Sequence, residues 1–172
     1  MVITLIGMPG SGKSCMGRGI AGKLKMKLID VDTVIEERTG KPLHYLIETF
    51  GTDEFRRIEE EALLSITEDN VIISTGGSAV YHDKAMQYYK SRGKLIYLYA
   101  DIDVLKERLG DFSKRGILFS PGQTFEDLYR ERCVLYEKYA DLTVDCNGKA
   151  YGKYRATLIK KVKELLESAS EK

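Results

Sequence analysis

The chain has 172 residues and a net charge of +1, from 27 basic and 26 acidic side chains. This length suits one α/β domain with an adequate core, and the balanced charge, without a long basic run, indicates neither a nucleic-acid nor a membrane surface. We find no apolar run of about 18 residues and no signal-peptide pattern. The three cysteines are odd in number and widely spaced. We therefore expect a cytoplasmic, monomeric protein with reduced thiols.

A glycine-rich segment follows the first predicted strand. Val2–Ile6 is short, apolar and rich in β-branched residues, which is typical of a buried strand. The next segment fits the phosphate-binding pattern G-x-x-x-x-G-K-[ST] and reads Gly7-Met8-Pro9-Gly10-Ser11-Gly12-Lys13-Ser14. Apolar residues then recur at helical spacing, which completes the strand–loop–helix context of a nucleotide site. Lys13 is expected to reach the terminal phosphates and the Ser14 hydroxyl to ligate Mg²⁺, whereas the alternative is an ordinary glycine-rich turn.

Apolar runs and helical segments alternate along the rest of the chain. This alternation predicts a parallel sheet covered by helices on both faces. The candidate strands are Val2–Ile6, Lys27–Asp30, Val71–Thr75, Lys94–Tyr99 and Leu142–Asp145. The candidate helices follow Lys13, Asp32, Asp53, Asp83, Asp103, Thr124 and Tyr151. The last helix is expected to pack on the sheet through Leu158, Ile159, Val162, Leu165 and Leu166.

Two carboxylates stand at the carboxyl end of the second candidate strand. Asp30 and Asp32 alternate there with apolar residues. In an extended chain, residues two apart point the same way, and the carboxyl ends of strands are where open α/β sheets bind ligands. Both side chains are therefore candidates for holding metal-bound water and for accepting a proton from an attacking hydroxyl. In the alternative interpretation, Asp32 is a helix N-cap and Asp30 is solvated.

The helix predicted after Asp53 carries charges on and beside its apolar face. Glu59 falls inside this face, and Arg56 at its edge reaches Glu59 at i,i+3. Because a buried carboxylate needs a partner, we expect Arg56 to pair with Glu59 and to present its guanidinium to a ligand carboxylate. The alternative is a surface ion pair near a helix start, and Arg57 is expected to be solvated. The apolar stripe consists of Phe55, Ile58, Ala62 and Ile66.

The third candidate strand ends in Gly76, Gly77 and Ser78. Backbone without side chains approaches a ligand closely, so the two glycines are candidates for substrate contacts. The alternative is a tight turn from strand to helix.

Two later segments add candidate arginines. The stretch Gly110–Gly122 has little periodicity and is interpreted either as an active-site lid or as a mobile surface loop. In a lid, Arg115 would stabilise charge on a transferred phosphoryl group. In the helix after Thr124, Arg132 projects into an apolar stripe, so it either pairs with an internal carboxylate or borders a ligand cavity. That stripe consists of Phe125, Leu128, Leu135 and Tyr139.

Taken together, these segments resemble the shikimate kinase family, which is nucleoside-monophosphate-kinase-like and has a P-loop. The resemblance extends from Gly7 to about Asn147 and is much more specific than the phosphate loop alone. It rests on that loop and on Asp30-Val31-Asp32, Ile35-Glu36-Glu37-Arg38-Thr39-Gly40, Glu54-Phe55-Arg56-Arg57-Ile58-Glu59-Glu60, Gly76-Gly77-Ser78-Ala79-Val80, Arg115 and Arg132-Cys133-Val134-Leu135-Tyr136.

The resemblance implies the fold and the reaction. The fold would be a P-loop NTPase fold of three α/β/α layers, with a five-stranded parallel sheet in the order 2-3-1-4-5. Residues 1–172 would form a single domain, with a substrate-binding region at about 31–60 and a lid at about 110–123. The reaction would transfer the γ-phosphoryl group of ATP to the 3-hydroxyl of shikimate, with Mg²⁺.

The resemblance also implies roles for individual residues. Lys13, Asp32 and Arg115 would be catalytic, with Asp32 as proton acceptor, and Ser14 with Asp30 would lie on the Mg²⁺ side. The shikimate site would contain Asp32, Arg56, Glu59, Gly76, Gly77 and Arg132, in which Glu59 orients Arg56. The nucleotide site would contain Gly10, Ser11, Gly12, Lys13, Ser14, Cys15, Arg108, Arg115 and Asn147.

The chain departs from the family pattern at three places. Ser78 stands where the family usually has a third glycine, and its Cβ is expected to restrict the backbone and crowd the substrate. Gly116 stands where proline usually follows the lid arginine, which should loosen the lid, and Val134 replaces the proline that often follows the second arginine. Two other functions therefore remain open: a kinase of this fold for another small hydroxy acid, such as gluconate or quinate, and a nucleotide-binding module without catalysis.

Overall fold

Within residues 1–111, 117–148 and 151–170, which the computed structural model describes, five strands form one parallel sheet. Its strand order is β2-β3-β1-β4-β5. This order and the parallel pairing confirm the predicted fold class, and the predicted strand ends agree with the observed ones to within a residue. The strands are β1 (Val2–Ile6), β2 (Lys27–Asp30), β3 (Val71–Ser74), β4 (Gly93–Tyr99) and β5 (Leu142–Asp145).

Helices cover both faces of the sheet and connect its strands. They are α1 (Lys13–Leu24), α2 (Val31–Thr39), α3 (Leu43–Ser65), α4 (Asp83–Arg92), α5 (Ile102–Leu109), α6 (Phe125–Tyr139) and α7 (Tyr151–Ser170), with a 3₁₀ turn at Ala79–Tyr81. None of the helices in the described part of the chain combines the length and the apolar composition that a membrane crossing requires.

The third helix is longer than the sequence predicted. We expected it to begin after Asp53, but α3 begins at Leu43, immediately after Pro42. The backbone leaves helical geometry once, at Gly51, where φ is 79° and ψ is 176°. A glycine adopts this conformation without strain, so two helical segments join there. Helix α2 packs against α3, and Leu43, the first residue of α3, lies in the same cavity wall as Asp32.

The two faces of the sheet bury separate apolar cores. On one face, Ile3, Leu5 and Ile96 pack with Met16 of α1 and Leu158 of α7. The predicted apolar face of the last helix is thereby confirmed. On the other face, a larger core includes Ile73, Phe55, Leu63, Met86 and Leu128. Alternate strand residues supply the two cores, as a parallel sheet covered on both sides requires.

Three of the candidate functional segments lie at the carboxyl edge of the sheet. The phosphate loop follows β1, the start of α2 follows β2, and the glycine pair follows β3. At the entry to the loop, Gly7 has a φ of 147°, and a Cβ there would lie 2.7 Å from the Leu98 carbonyl oxygen. Glycine is thus required where the loop leaves the sheet beside β4. Since three adjacent strands end at this edge, their polar residues converge on one site.

Candidate active site

A cavity of about 440 Å³ lies at the carboxyl edge of the sheet. Residues from the phosphate loop, α2, α3, the glycine turn, α5 and α6 form its wall. The predicted site residues in this wall are Gly10, Gly12, Lys13, Ser14, Cys15, Asp32, Glu59, Gly76, Gly77, Arg108 and Arg132. Ser11, Asp30, Arg56 and Asn147 lie outside the wall. Arg115, together with the rest of 112–116, lies outside the described residues.

The phosphate loop forms one end of the cavity. Gly10 and Gly12 have positive φ angles of 82° and 96°, which favour glycine and allow the loop to curl. The ammonium group of Lys13 donates to the carbonyl oxygens of Gly7, at 2.8 Å, and Met8, at 2.9 Å. Burial lowers the pKa of Lys13 to about 8, against the opposing effects of Asp32 and Asp30. These two bonds hold the ammonium group of Lys13 inside the phosphate loop.

The ends of β2 and β3 place oxygen atoms beside the loop. The Ser14 hydroxyl lies 3.2 Å from the Ser74 hydroxyl, and Ser74 is paired in register with Asp30. Among the described residues, no cluster of three or more His, Cys, Asp or Glu side chains forms a metal site. A site of few protein oxygens suits Mg²⁺, which is usually bound by one or two carboxylates together with substrate phosphates and waters.

The two carboxylates after β2 do not have the geometry that the sequence suggested. Asp30 accepts a hydrogen bond from the backbone N–H of Asp32 at 3.2 Å, so Asp30 is the N-cap of α2. Asp32 lies in the first turn of that helix. Both the extended-chain argument and the alternative that made Asp32 the cap are therefore wrong. The helical turn still directs Asp32 into the cavity wall.

Asp32 is a carboxylate in a poorly solvated site. Burial, followed by the negative charge of Asp30, raises the pKa of Asp32 to about 6, against the opposing charge of Lys13. A carboxylate with this pKa is ionised at neutral pH and is more basic than an ordinary aspartate. Such a group suits the acceptance of a proton from an alcohol.

Glu59 is fully buried, but its partners differ from the predicted one. Its Oε1 accepts a hydrogen bond from the Ser78 hydroxyl at 2.8 Å, and its Oε2 lies 2.9 Å from His82 Nε2. In the described part of the chain, no hydrogen bond or ion pair joins Arg56 to Glu59, so the expected i,i+3 pairing is wrong. Tertiary contacts from the glycine turn satisfy this carboxylate instead.

Ser78 does not distort the turn in which it stands. Its φ of −82° and ψ of −13° are ordinary helical values, so the position does not require glycine. Its side chain contacts Glu59. The Cβ of Ser78 therefore imposes no strain on the turn, and crowding of the substrate by Ser78 stays a prediction.

The two glycines allow charged side chains to approach one another. A Cβ at Gly76 would lie 2.8 Å from Glu59 Oε1 and 3.2 Å from Asp32 Oδ1. A Cβ at Gly77 would lie 2.7 Å from Pro9 Cδ and 3.0 Å from Arg132 Nη1. A side chain at Gly76 or Gly77 would therefore displace these neighbouring groups. The turn thus brings α2, α3, α6 and the phosphate loop to the same place.

Arg132 lies in the cavity wall beside the glycine turn. Its side chain is only 1% exposed, and no carboxylate in the described part of the chain forms an ion pair with it. Its guanidinium donates to the Leu118 carbonyl oxygen at 3.3 Å and to the Tyr81 hydroxyl at 3.4 Å. A buried cation without an anionic partner indicates a site for a negatively charged group. Of the two sequence interpretations, the geometry favours the ligand cavity.

The buried stripe of α6 differs in one position from the predicted one. Tyr136 is fully buried and Leu135 only partly so. The Tyr136 hydroxyl donates to the Gly77 carbonyl oxygen at 2.6 Å, and its ring stacks on Tyr97 at a centroid distance of 5.0 Å. The hydrogen bond to Gly77 fixes α6 against the glycine turn, and Tyr136 lies one helical turn from Arg132.

A third region of the cavity lies beside α5. Arg108 Nη2 donates to the Cys146 carbonyl oxygen at 2.6 Å and to that of Gly148 at 3.3 Å. The Asn147 side chain accepts a hydrogen bond from the backbone N–H of Asp101 at 2.7 Å. The structure therefore joins Arg108 to the segment around Asn147, although only Arg108 reaches the wall.

Sequence reasoning missed several residues that complete the site. Ser74 had a detectable signal, because it is the polar last residue of an apolar strand at the ligand-binding edge. Tyr136 had one as well, at i+4 from Arg132. Tyr81 and His82 had none, because they contact Arg132 and Glu59 only through the tertiary fold.

We expect Asp32→Asn to stabilise the protein at pH 8 by roughly 1–3 kcal/mol. The pKa of Asp32 is about 6 in the folded protein, against an ordinary value of 3.8, so its ionised form is disfavoured by folding. That cost is absent below about pH 4, grows between pH 4 and 6, and is complete above pH 6. Urea unfolding from pH 4 to 8 should show the advantage of the variant rising over this window. Equal stability at every pH, or the same trend in the exposed control Asp53→Asn, would contradict the assignment.

We expect Ser78→Ala to lower the free energy of unfolding by about 1–3 kcal/mol, because a buried carboxylate oxygen loses its hydroxyl donor. Urea unfolding at neutral pH measures this effect. The matched control is Ser65→Ala, whose hydroxyl bonds only a local carbonyl oxygen within α3 and should cost less. Equal effects of the two substitutions would count against the role of Ser78.

Comparison with known proteins identifies the family. The family model described as "Shikimate kinase" matches residues 9–166. A shikimate kinase of Haemophilus influenzae is 39% identical over 146 residues, which cover 83% of this chain and 81% of that protein. One of Francisella tularensis subsp. novicida is 36% identical over 150 residues, or 85% of each chain.

A solved structure agrees with these relatives. The shikimate kinase of Acinetobacter baumannii in complex with shikimate superposes with a TM-score of 0.85 at 30% identity, covering 99% of this chain and 95% of that one. With a family match over most of the sequence, relatives above 30% identity and the same fold, the chain belongs to the shikimate kinase family.

Proposed function

We propose that the chain transfers the γ-phosphoryl group of ATP to the 3-hydroxyl of shikimate, which gives shikimate 3-phosphate and ADP. The observation that carries this proposal is the charge arrangement of one cavity. Lys13 of the phosphate loop, the buried Arg132 and the carboxylate of Asp32 all lie in the wall of this cavity. An acceptor with a carboxylate and a hydroxyl fits between a cation and a base.

In this proposal, the nucleotide lies along the phosphate loop and α5. Backbone N–H groups at the start of α1 and the ammonium of Lys13 bind its phosphates. Arg108 and the segment around Asn147 border the adenine, and Arg115 acts from a lid at about 110–123. The loop residues assigned to the nucleotide are Gly10, Ser11, Gly12, Lys13, Ser14 and Cys15.

The acceptor lies over the glycine turn, with about 31–60 as its binding region. Arg132 binds its carboxylate together with Arg56, which is outside the cavity wall but lies against the same Tyr81 ring as Arg132. Gly76 and Gly77 offer backbone contacts. Asp32 accepts the proton of the attacking hydroxyl, which its raised pKa supports. Glu59 contributes negative charge near Asp32 and the glycine turn rather than orienting Arg56 directly, because its oxygens are engaged by Ser78 and His82.

A Mg²⁺ ion fits the oxygen atoms at the start of α1 and at the ends of β2 and β3. The Ser14 hydroxyl would bind it directly, and Asp30, in register with Ser74, would hold its waters. When bound there, the ion would neutralise charge on the nucleotide phosphates. The cavity residues themselves position the two substrates in line and exclude water, which supplies much of the catalysis in phosphoryl transfer.

The direct test is ADP release with ATP and Mg²⁺ across a panel of shikimate, quinate, gluconate and nucleoside monophosphates. We expect release that depends on shikimate and exceeds that with the other acceptors. Preferential turnover of another acid would show that the protein is a kinase with a different acceptor. Nucleotide binding without turnover of any acceptor would favour a non-catalytic module.

A second prediction concerns Arg132→Lys, which keeps the charge but removes the bidentate guanidinium. The KM for shikimate should rise about tenfold to a hundredfold, because a charge-assisted pair is lost, while the KM for ATP stays within about twofold. Steady-state kinetics with each substrate varied separately measures both values.

The matched control is Arg57→Lys. Arg57 is exposed and binds Glu54 and Glu61 on the outer face of α3. Its substitution should leave both KM values unchanged. An unaltered KM for shikimate in Arg132→Lys would remove Arg132 from the acceptor site.

A further inference from the structure

The ring of Tyr81 lies against two arginines from different helices. Tyr81 ends the 3₁₀ turn after the glycine pair. Its ring centroid lies 5.0 Å from Cζ of Arg56, on α3, and 5.3 Å from Cζ of Arg132, on α6. These distances are within the range of attractive cation–π contacts. One aromatic ring therefore links the two arginines that we assign to the acceptor carboxylate.

The orientation of this ring is fixed at its hydroxyl end. The Tyr81 hydroxyl donates to Glu131 Oε1 at 2.5 Å and accepts from Arg132 Nε at 3.4 Å. The second oxygen of Glu131 accepts from the Gln123 side chain at 3.0 Å. These bonds tie the ring to the middle of α6 and, through Glu131, to Gln123 just before the helix.

Arg56 and Arg132 can bind an anionic ligand only if the group that holds them in place does not neutralise their charge. Arg56 has a buried Nε without a hydrogen-bond partner, and Glu59, its nearest carboxylate in the helix, is engaged by Ser78 and His82. A carboxylate placed between the two guanidiniums would compete with an anionic ligand. An aromatic face attracts both cations and leaves their N–H groups for the ligand.

We propose that Tyr81 is a positioning residue that holds Arg56 and Arg132 side by side and thereby sets the affinity for the carboxylate of the acceptor. The identity of that acceptor rests on the proposed function, whereas the ring contacts do not. Tyr81 acts through the arginines, so its removal should change acceptor affinity far more than nucleotide affinity or turnover.

The test compares Tyr81→Leu, which removes the ring, with Tyr81→Phe, which keeps it and removes the hydroxyl. Tyr81→Leu should raise the KM for shikimate about fivefold to thirtyfold, with kcat and the KM for ATP within about twofold. Tyr81→Phe should recover most of the affinity.

The matched control is Tyr88→Leu. The ring centroid of Tyr88 lies 5.1 Å from Cζ of Arg92, and Arg92 is neither in the cavity wall nor assigned to the acceptor, so loss of the Tyr88 ring should leave the KM for shikimate unchanged. An equal rise of both KM values in Tyr81→Leu, or the same effect in Tyr88→Leu, would show a merely structural contact and overturn the proposal.

A second measurement separates this proposal from the proposed function, because it needs no acceptor. The hydrogen-exchange rate of the Arg56 Nε–H, followed by ¹⁵N NMR, should rise in Tyr81→Leu and stay unchanged in Tyr81→Phe. Unchanged exchange in Tyr81→Leu overturns the positioning role even if shikimate is turned over. Faster exchange, with no shikimate turnover by the unaltered chain, sustains the positioning role and overturns the assigned acceptor.

Discussion

The site depends on the absence of side chains at Gly76 and Gly77. Carboxylate oxygens of Glu59 and Asp32 approach Gly76, and atoms of Pro9 and Arg132 approach Gly77. Each lies between 2.7 and 3.2 Å from the position that a Cβ on the glycine would take. These groups belong to the phosphate loop and three separate helices. A methyl group at either position would push at least two of them apart. The narrow turn after β3 thus holds the phosphate loop, Asp32, Glu59 and Arg132 in one geometry.

The charged side chains that converge on this turn have different kinds of partner. Glu59 is buried, and its charge is met by neutral or weakly basic donors, Ser78 and His82. Lys13 is surrounded by carbonyl oxygens of its own loop. Arg132 faces an aromatic ring and a main-chain oxygen. No charged group here is neutralised by a close ion pair within the described residues of the wall, with the exception of Glu59 when His82 is protonated. Such a wall keeps its electrostatic attraction available for substrates.

Much of this arrangement was predictable, because it follows from local rules. The phosphate loop, the strand ends and the buried Arg132 were found from motif, periodicity and the cost of burying a charge. The partners of Glu59 were not predictable in this way. The i,i+3 spacing makes Arg56 a possible partner, but Ser78 and His82 form the hydrogen bonds. Asp32 was considered as the N-cap of α2, whereas Asp30 is the N-cap and Asp32 lies in the first turn. A helix boundary can shift by a residue or two without changing the sequence pattern that predicts the helix. Tyr81 and His82 escaped detection because their partners are distant in the sequence.

The contact between Arg132 and Leu118 has a consequence for how the chain can vary. The oxygen that receives this hydrogen bond belongs to the main chain of Leu118, so the bond does not depend on the chemical identity of the side chain there. Substitutions in the segment that precedes α6 therefore preserve the contact as long as the path of the backbone is kept. A backbone acceptor of this kind leaves the loop free to diverge in sequence while the arginine beneath it keeps its orientation.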